Sequence, residues 1–108
     1  EKNAIGHFFD GKATLVIGTH THIPTNDARI LKNGTAYQTD AGMCGDYNSV
    51  IVMNKDNSIN RFLKKDSVKH FPANGDATLS GVIVDCNKET GLANKVDSYI
   101  FGGQLNET

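Results

Sequence analysis

Ala13-Thr14-Leu15-Val16-Ile17-Gly18-Thr19-His20-Thr21-His22 is the stretch on which the fold of this chain turns. Ala13 to Ile17 is a continuous apolar run broken by one Thr and bounded by Gly11 and Gly18. A run this short suits a strand buried on both faces, the kind that parallel sheets in α/β proteins use. Upstream, Ala4, Ile5, Phe8 and Phe9 recur at the offsets of an amphipathic helix tail across Glu1 to Phe9, and Asp10-Gly11 stops it. A helix, a Gly turn and a buried strand make the second half of a helix–strand unit, and ligand sites in such folds lie beyond the strand's carboxyl end. Here that end is Gly18, with His20 and His22 directly after it.

Downstream, Ala28 to Leu31 and Thr35 to Thr39 read as strands split by Lys32-Asn33-Gly34, a hairpin tipped at Asn33-Gly34. Asp40 to Asn48 is loop-like, and Ser49 to Met53 returns to a strand pattern. Asp56-Asn57-Ser58 offers caps for a helix of about two turns carrying Ile59, Phe62 and Leu63. Asp76 to Asn87 and Leu92 to Phe101 form a second hairpin, and Gln104 to Thr108 is a polar tail.

The chain opens at Glu1 without a methionine and reads as a piece of a longer protein. Its 108 residues would bury roughly two-thirds of the unfolded surface. With no Trp and 11 Gly, the core is expected to be thin and order to depend on a partner segment. Eleven basic against twelve acidic residues give a net charge of -1, so bulk electrostatics offer duplex nucleic acid nothing. No apolar stretch approaches the roughly 20 residues of a membrane helix. Cys44 and Cys86 lie in no metal-binding spacing, and both read as reduced thiols of a cytoplasmic protein.

A His-x-His pair in an extended segment sends both imidazoles to the same side, within reach of neighbouring metals. By itself the pair fits a structural or surface role as readily. The buried strand before it, the Gly at the strand's end, and Thr19, Thr21 and Thr25 as polar neighbours for supporting hydrogen bonds favour the ligand reading. His7 reads as a surface or cap residue, His70 as a partner for a helix C-terminus, and Tyr37, Tyr47 and Tyr99 as packing residues.

Val16 to Thr25, then Asp27, Arg29-Ile30-Leu31, Asn33-Gly34-Thr35-Ala36-Tyr37, Thr39-Asp40, Gly42-Met43, Gly45 and Ser49-Val50-Ile51 together resemble the YmdB-type metallophosphoesterase family. The likeness continues through Arg61-Phe62-Leu63 to Gly81-Val82-Ile83-Val84-Asp85 and Thr90-Gly91, nearly the whole chain. It implies a calcineurin-like phosphodiesterase that opens 2',3'-cyclic nucleotides at the 2' side. The fold implied is α/β, α+β within this chain: the C-terminal part of a four-layer sandwich, its strands mostly in hairpins with two short helices. Residues 1–108 would then be a single incomplete domain. It also implies that His20 binds one metal and His22 its neighbour, the other ligands and the leaving-group acid lying upstream.

Two metals would bridge an activated hydroxide and neutralise charge on the phosphoryl oxygens; iron or manganese suits the donors, with zinc as the alternative. Asp40 and Asp46 are candidates for contacting substrate. The expected partners are a small cyclic nucleotide or related phosphodiester and, through an open apolar strand edge, further copies in a homo-oligomer. The chain alone is expected to be inactive. The alternative is a non-catalytic interaction module that presents hairpin edges to a partner.

Overall fold

A computed structural model describes residues 1–65 and 69–108. In chain order the elements are α1 (Lys2–Phe9), β1 (Leu15–Ile17), β2 (Arg29–Ile30), β3 (Ala36–Gln38), α2 (Lys55–Phe62), β4 (Leu79–Cys86) and β5 (Ala93–Phe101). They form two compact units: Glu1–Met43 with Ser80–Tyr99 and Thr108, and Cys44–Leu79 with Ile100–Glu107.

In the first unit, β1 runs parallel to β3 (Leu15↔Ala36, Val16↔Tyr37, Ile17↔Gln38), and β2 pairs antiparallel on the other side (Arg29↔Tyr37, Ile30↔Ala36). The β2–β3 hairpin turns where Asn33-Gly34 places it: the Gly34 N–H donates to Leu31 O, and Gly34 takes φ +103°, open to glycine without a Cβ penalty. The β4–β5 hairpin also forms, with Gly91 N–H donating to Asn87 O and Asn87 N–H to Leu92 O.

The burial pattern corrects the sequence reading. β1, expected to be covered on both faces, is half-buried, and Ile17 is exposed. The buried strand is β3: Thr35, Ala36, Tyr37 and Gln38 are all at or below 1% exposure. β3 has a strand on each side and Gly6 of α1 against its Tyr37 ring, whereas β1 is an edge among the described residues. Gly6 of α1 sits so close to the Tyr37 ring that a Cβ there would lie 2.5 Å from Cδ1. On the same helix Ile5, Phe8 and Phe9 remain exposed.

Three polar anchors supplement a small apolar core of Leu31, Ala36 and Tyr37. Asp10 accepts the N–H groups of Asn33 and Thr35, the Thr35 hydroxyl donates to Ala13 O, and the Tyr37 hydroxyl meets that of Thr39 at 3.0 Å. Buried polar groups are tolerable when they are paired this completely.

The second unit departs further from expectation. Ser49 to Met53, read as a strand, is a tight turn: Val50 and Met53 exchange both backbone hydrogen bonds at 2.9 Å, and Ile51 and Val52 stand at φ +45° and +69°. A β-branched pattern favours a strand only when a neighbour is available to pair. α2 starts earlier than the capping signal suggested, with Asn54 as N-cap accepting the Asn57 N–H at 3.0 Å. It ends at Phe62, eight residues before exposed His70, and the segment after His70 pairs instead with the start of the helix, where the N-cap Asn54 N–H donates to Phe71 O at 2.9 Å. No helix among the described residues is long and apolar enough to cross a membrane.

Candidate metal centre

The loop after β1 is fixed at its root by backbone pairing with β3 and the residues beyond it. Gly18 N–H donates to Gln38 O at 3.1 Å, and Ala41 N–H donates to Gly18 O at 2.9 Å. From Thr19 to Ile23 the chain bends, and both candidate ligands adopt backbone angles that L-residues seldom take: φ is +121° at His20 and +68° at His22. The extended geometry expected for the pair is therefore absent. Positive φ at a residue with a side chain costs on the order of 1–3 kcal/mol and persists only where surrounding contacts impose it.

Those contacts converge on Asp40, whose side chain is fully buried. Its Oδ2 accepts the Thr21 N–H at 2.7 Å and faces the Lys2 ammonium at 3.3 Å, while Oδ1 accepts the Gly42 N–H at 2.8 Å. Lys2 also donates to Thr19 O at 2.7 Å. Asp40 is itself held by Thr25, whose N–H donates to Asp40 O and whose hydroxyl accepts the Asp40 N–H, and by the buried Gln38 amide. Asp27 completes the web by accepting the Thr25 and Thr39 hydroxyls and the Thr39 N–H.

Burial by itself would raise the Asp40 pKa, but the Thr21 and Gly42 N–H groups, the Thr21 hydroxyl and Lys2 outweigh it and hold the carboxyl at about 2. Asp27 is lowered too: burial opposes the shift, and the Thr25 and Thr39 hydroxyls, the Thr39 N–H and Arg29 prevail. A carboxyl whose folded pKa lies below its unfolded value contributes stability above the unfolded pKa and loses it as pH falls through the folded one. For Asp40 that contribution is expected to be about 2 kcal/mol above pH 5, vanishing toward pH 2. Urea unfolding of the metal-free protein checks this: the stability gap between wild type and Asp40→Asn should narrow as pH falls from 5 to 2. A gap independent of pH contradicts it.

His22 Nδ1 is buried and, like Gln38 Oε1 and Ser58 Oγ, has no hydrogen-bond partner among the described residues. An unpaired buried nitrogen costs about 1–3 kcal/mol, and neutral imidazole nitrogen is a good donor to zinc, iron or manganese. His22 thus fits one position of a metal's donor set, and His20, two residues away, is exposed. The pair does not complete one: the described residues contain no group of three or more His, Cys, Asp or Glu able to hold a metal ion.

His20, His22 and Asp40 belong to the first unit and Asp46 to the second. Asp40 is not open to a substrate, since both oxygens are taken by the loop. Asp46 is equally occupied, accepting the N–H groups of Asn48 at 2.7 Å and Gly75 at 3.1 Å. Of the three threonines expected to support the ligands, Thr25 enters the buried web, Thr21 contributes its backbone N–H, and Thr19 its carbonyl. Lys2 was missed altogether; a lysine one turn from Ile5 on a helix tail carries no sequence signal of a loop 17 residues away.

The model of the YmdB-like protein family matches residues 1–99. The chain belongs to the YmdB-like family. Over 101 residues it is 45% identical to the 2',3'-cyclic-nucleotide 2'-phosphodiesterase of Bacillus subtilis (strain 168), covering 94% of this chain and 38% of that protein. Among solved structures it resembles a hypothetical protein from Thermus thermophilus, with a TM-score of 0.85 and 36% identity over 96% of this chain and 40% of that one. It also resembles a novel phosphatase from Mycoplasma pneumoniae, with a TM-score of 0.84 and 37% identity over 94% and 36% of the respective chains. The chain therefore spans less than half the length of each of these relatives, and its α+β fold is a part of a known phosphatase structure.

Proposed function

We propose that this chain is the part of a metal-dependent phosphodiesterase that contributes His20 and His22 to the metal centre, and that the full-length protein hydrolyses 2',3'-cyclic nucleotides. The observation that carries the reading is the buried, unpartnered Nδ1 of His22 in a loop forced into left-handed backbone just past β1. The 45% identity to a 2',3'-cyclic-nucleotide 2'-phosphodiesterase supports the substrate class.

His20 and His22 would hold iron or manganese, with zinc as the alternative, one imidazole to each of two ions. When bound, such ions supply the positive charge that offsets charge growing on the phosphoryl oxygens. The chain's own part is to present two imidazoles from a backbone held by the Asp40 contacts. In the reaction, water adds to phosphorus, the P–O2' bond breaks, and the departing O2' takes a proton, leaving a nucleoside 3'-phosphate. The further ligands and the acid come from outside this chain. Cys44 and Cys86, both exposed and neither in a disulfide, suit a reducing cytoplasmic setting.

The test uses the full-length protein and 2',3'-cyclic AMP. Exhaustive treatment with a chelator is expected to abolish formation of the 3'-monophosphate, and Mn²⁺ or Fe²⁺ added back should restore it. Undiminished turnover in protein shown by elemental analysis to be metal-free would overturn the reading.

A further inference from the structure

We infer that Asp40 is a positioning residue for the histidine pair: its carboxylate grips the backbone N–H of Thr21, the residue between the two histidines, and holds both in left-handed backbone. The inference rests on the reading of His20 and His22 as metal ligands and adds the device that pre-sets them.

The chain of contacts is continuous. β3 is the most buried strand, and Asp40, two residues past its end, is locked through both backbone groups by Thr25 and through its carbonyl by Gln38 Nε2. From that fixed point one carboxylate oxygen reaches Thr21 N–H and the other Gly42 N–H. Lys2 closes the arrangement by touching the same carboxylate and Thr19 O, so the residues on either side of His20 are tied to one node. The positive φ values fall on the two residues that flank Thr21. Drawing the Thr21 N–H inward toward Asp40 requires the chain to reverse on each side of it, and the histidines make those reversals.

A carboxylate can accept both N–H groups, whereas an amide of the same shape has one acceptor oxygen and must leave either Thr21 or Gly42 unpaired. Asp40→Asn in the full-length, metal-free protein is therefore the discriminating variant, titrated with Mn²⁺ alone by calorimetry. Its Mn²⁺ affinity is expected to fall about 10- to 100-fold, the usual cost of losing a group that orients a metal ligand. Asp10→Asn is the control, because Asp10 is also a carboxylate anchored on two backbone N–H groups, those of Asn33 and Thr35, but not on the histidine loop. It should lower the unfolding temperature while keeping Mn²⁺ affinity within about twofold of wild type. Lys2→Gln, whose side chain is one-third exposed, should weaken Mn²⁺ binding severalfold.

Wild-type Mn²⁺ affinity in a folded Asp40→Asn protein would overturn the inference. So would equal weakening by Asp10→Asn, since the effect would then be one of general stability. If Asp40→Asn does not fold, Lys2→Gln decides: wild-type affinity there also overturns it. His22→Ala, titrated in parallel, separates the two levels. Loss of a Mn²⁺ equivalent in His22→Ala beside unchanged binding in Asp40→Asn removes only the positioning role. Full Mn²⁺ stoichiometry in His22→Ala removes the ligand reading itself.

Discussion

Replacing His22 with alanine in the full-length protein is expected to remove about one equivalent of bound metal and to lower turnover of 2',3'-cyclic AMP at least 100-fold, beyond the 10- to 100-fold that losing a ligand's support alone costs. Elemental analysis and a product assay check it, and a variant that kept its metal and its turnover would refute it. The backbone adds a second expectation that separates ligand loss from unfolding. At φ +68°, glycine fits better than any residue with a Cβ, and removing the imidazole also removes the unpaired buried Nδ1. His22→Gly should therefore lose metal as completely as His22→Ala, yet be about 1 kcal/mol more stable than His22→Ala when metal-free. A glycine variant less stable than the alanine variant would show that the left-handed turn is not strained.

Gly18→Ala is expected to be the most destabilising small substitution near the site. A Cβ at Gly18 would stand 2.1 Å from the Thr39 carbonyl oxygen and 3.0 Å from Lys2 Cδ. Lysine can move aside. The carbonyl cannot, because Gly18 is tied on one side to Gln38 O and on the other to the Ala41 N–H, so the two backbones would have to separate. Overpacking of this kind costs about 1–3 kcal/mol, and losing the adjoining hydrogen bonds adds to it, for an expected total of about 3 kcal/mol. Urea unfolding of the full-length variant measures the loss. A change below about 0.5 kcal/mol, the range of ordinary surface substitutions, would contradict the close approach.

The parts of the fold legible in the sequence were those written in turn chemistry and period. Asn33-Gly34 and the Asn87–Gly91 turn marked both hairpins, and the apolar run before Gly18 marked β1. Burial was not legible, because it depends on neighbours. The most apolar strand lies at an edge, while β3, which carries Thr35 and Gln38, lies in the middle and is made tolerable by hydrogen bonds to residues far off in sequence. Ser49 to Met53 failed for the complementary reason: a strand-like composition turned back on itself within four residues. At the candidate site, the histidine pair was visible in the sequence and its backbone conformation was not. Alternation predicts an extended segment, and the buried carboxylate of Asp40 explains why the Thr21 N–H faces inward instead. Asp40 and Asp46 were visible as acidic residues near glycines, but whether such a carboxylate faces solvent or its own backbone is decided by tertiary contacts.

The left-handed turns at residues 20 and 22 also restrict the alphabet from which ligands can be drawn. Among side chains that bind metals, histidine, aspartate and asparagine are the ones enriched at positive φ. On the proposed ligand reading, the bend would act as a filter on coordination chemistry, favouring imidazole and short carboxylate over thiolate. An effort to tune the proposed centre toward soft metals by writing cysteine into either position would be working against the main chain before any metal was offered.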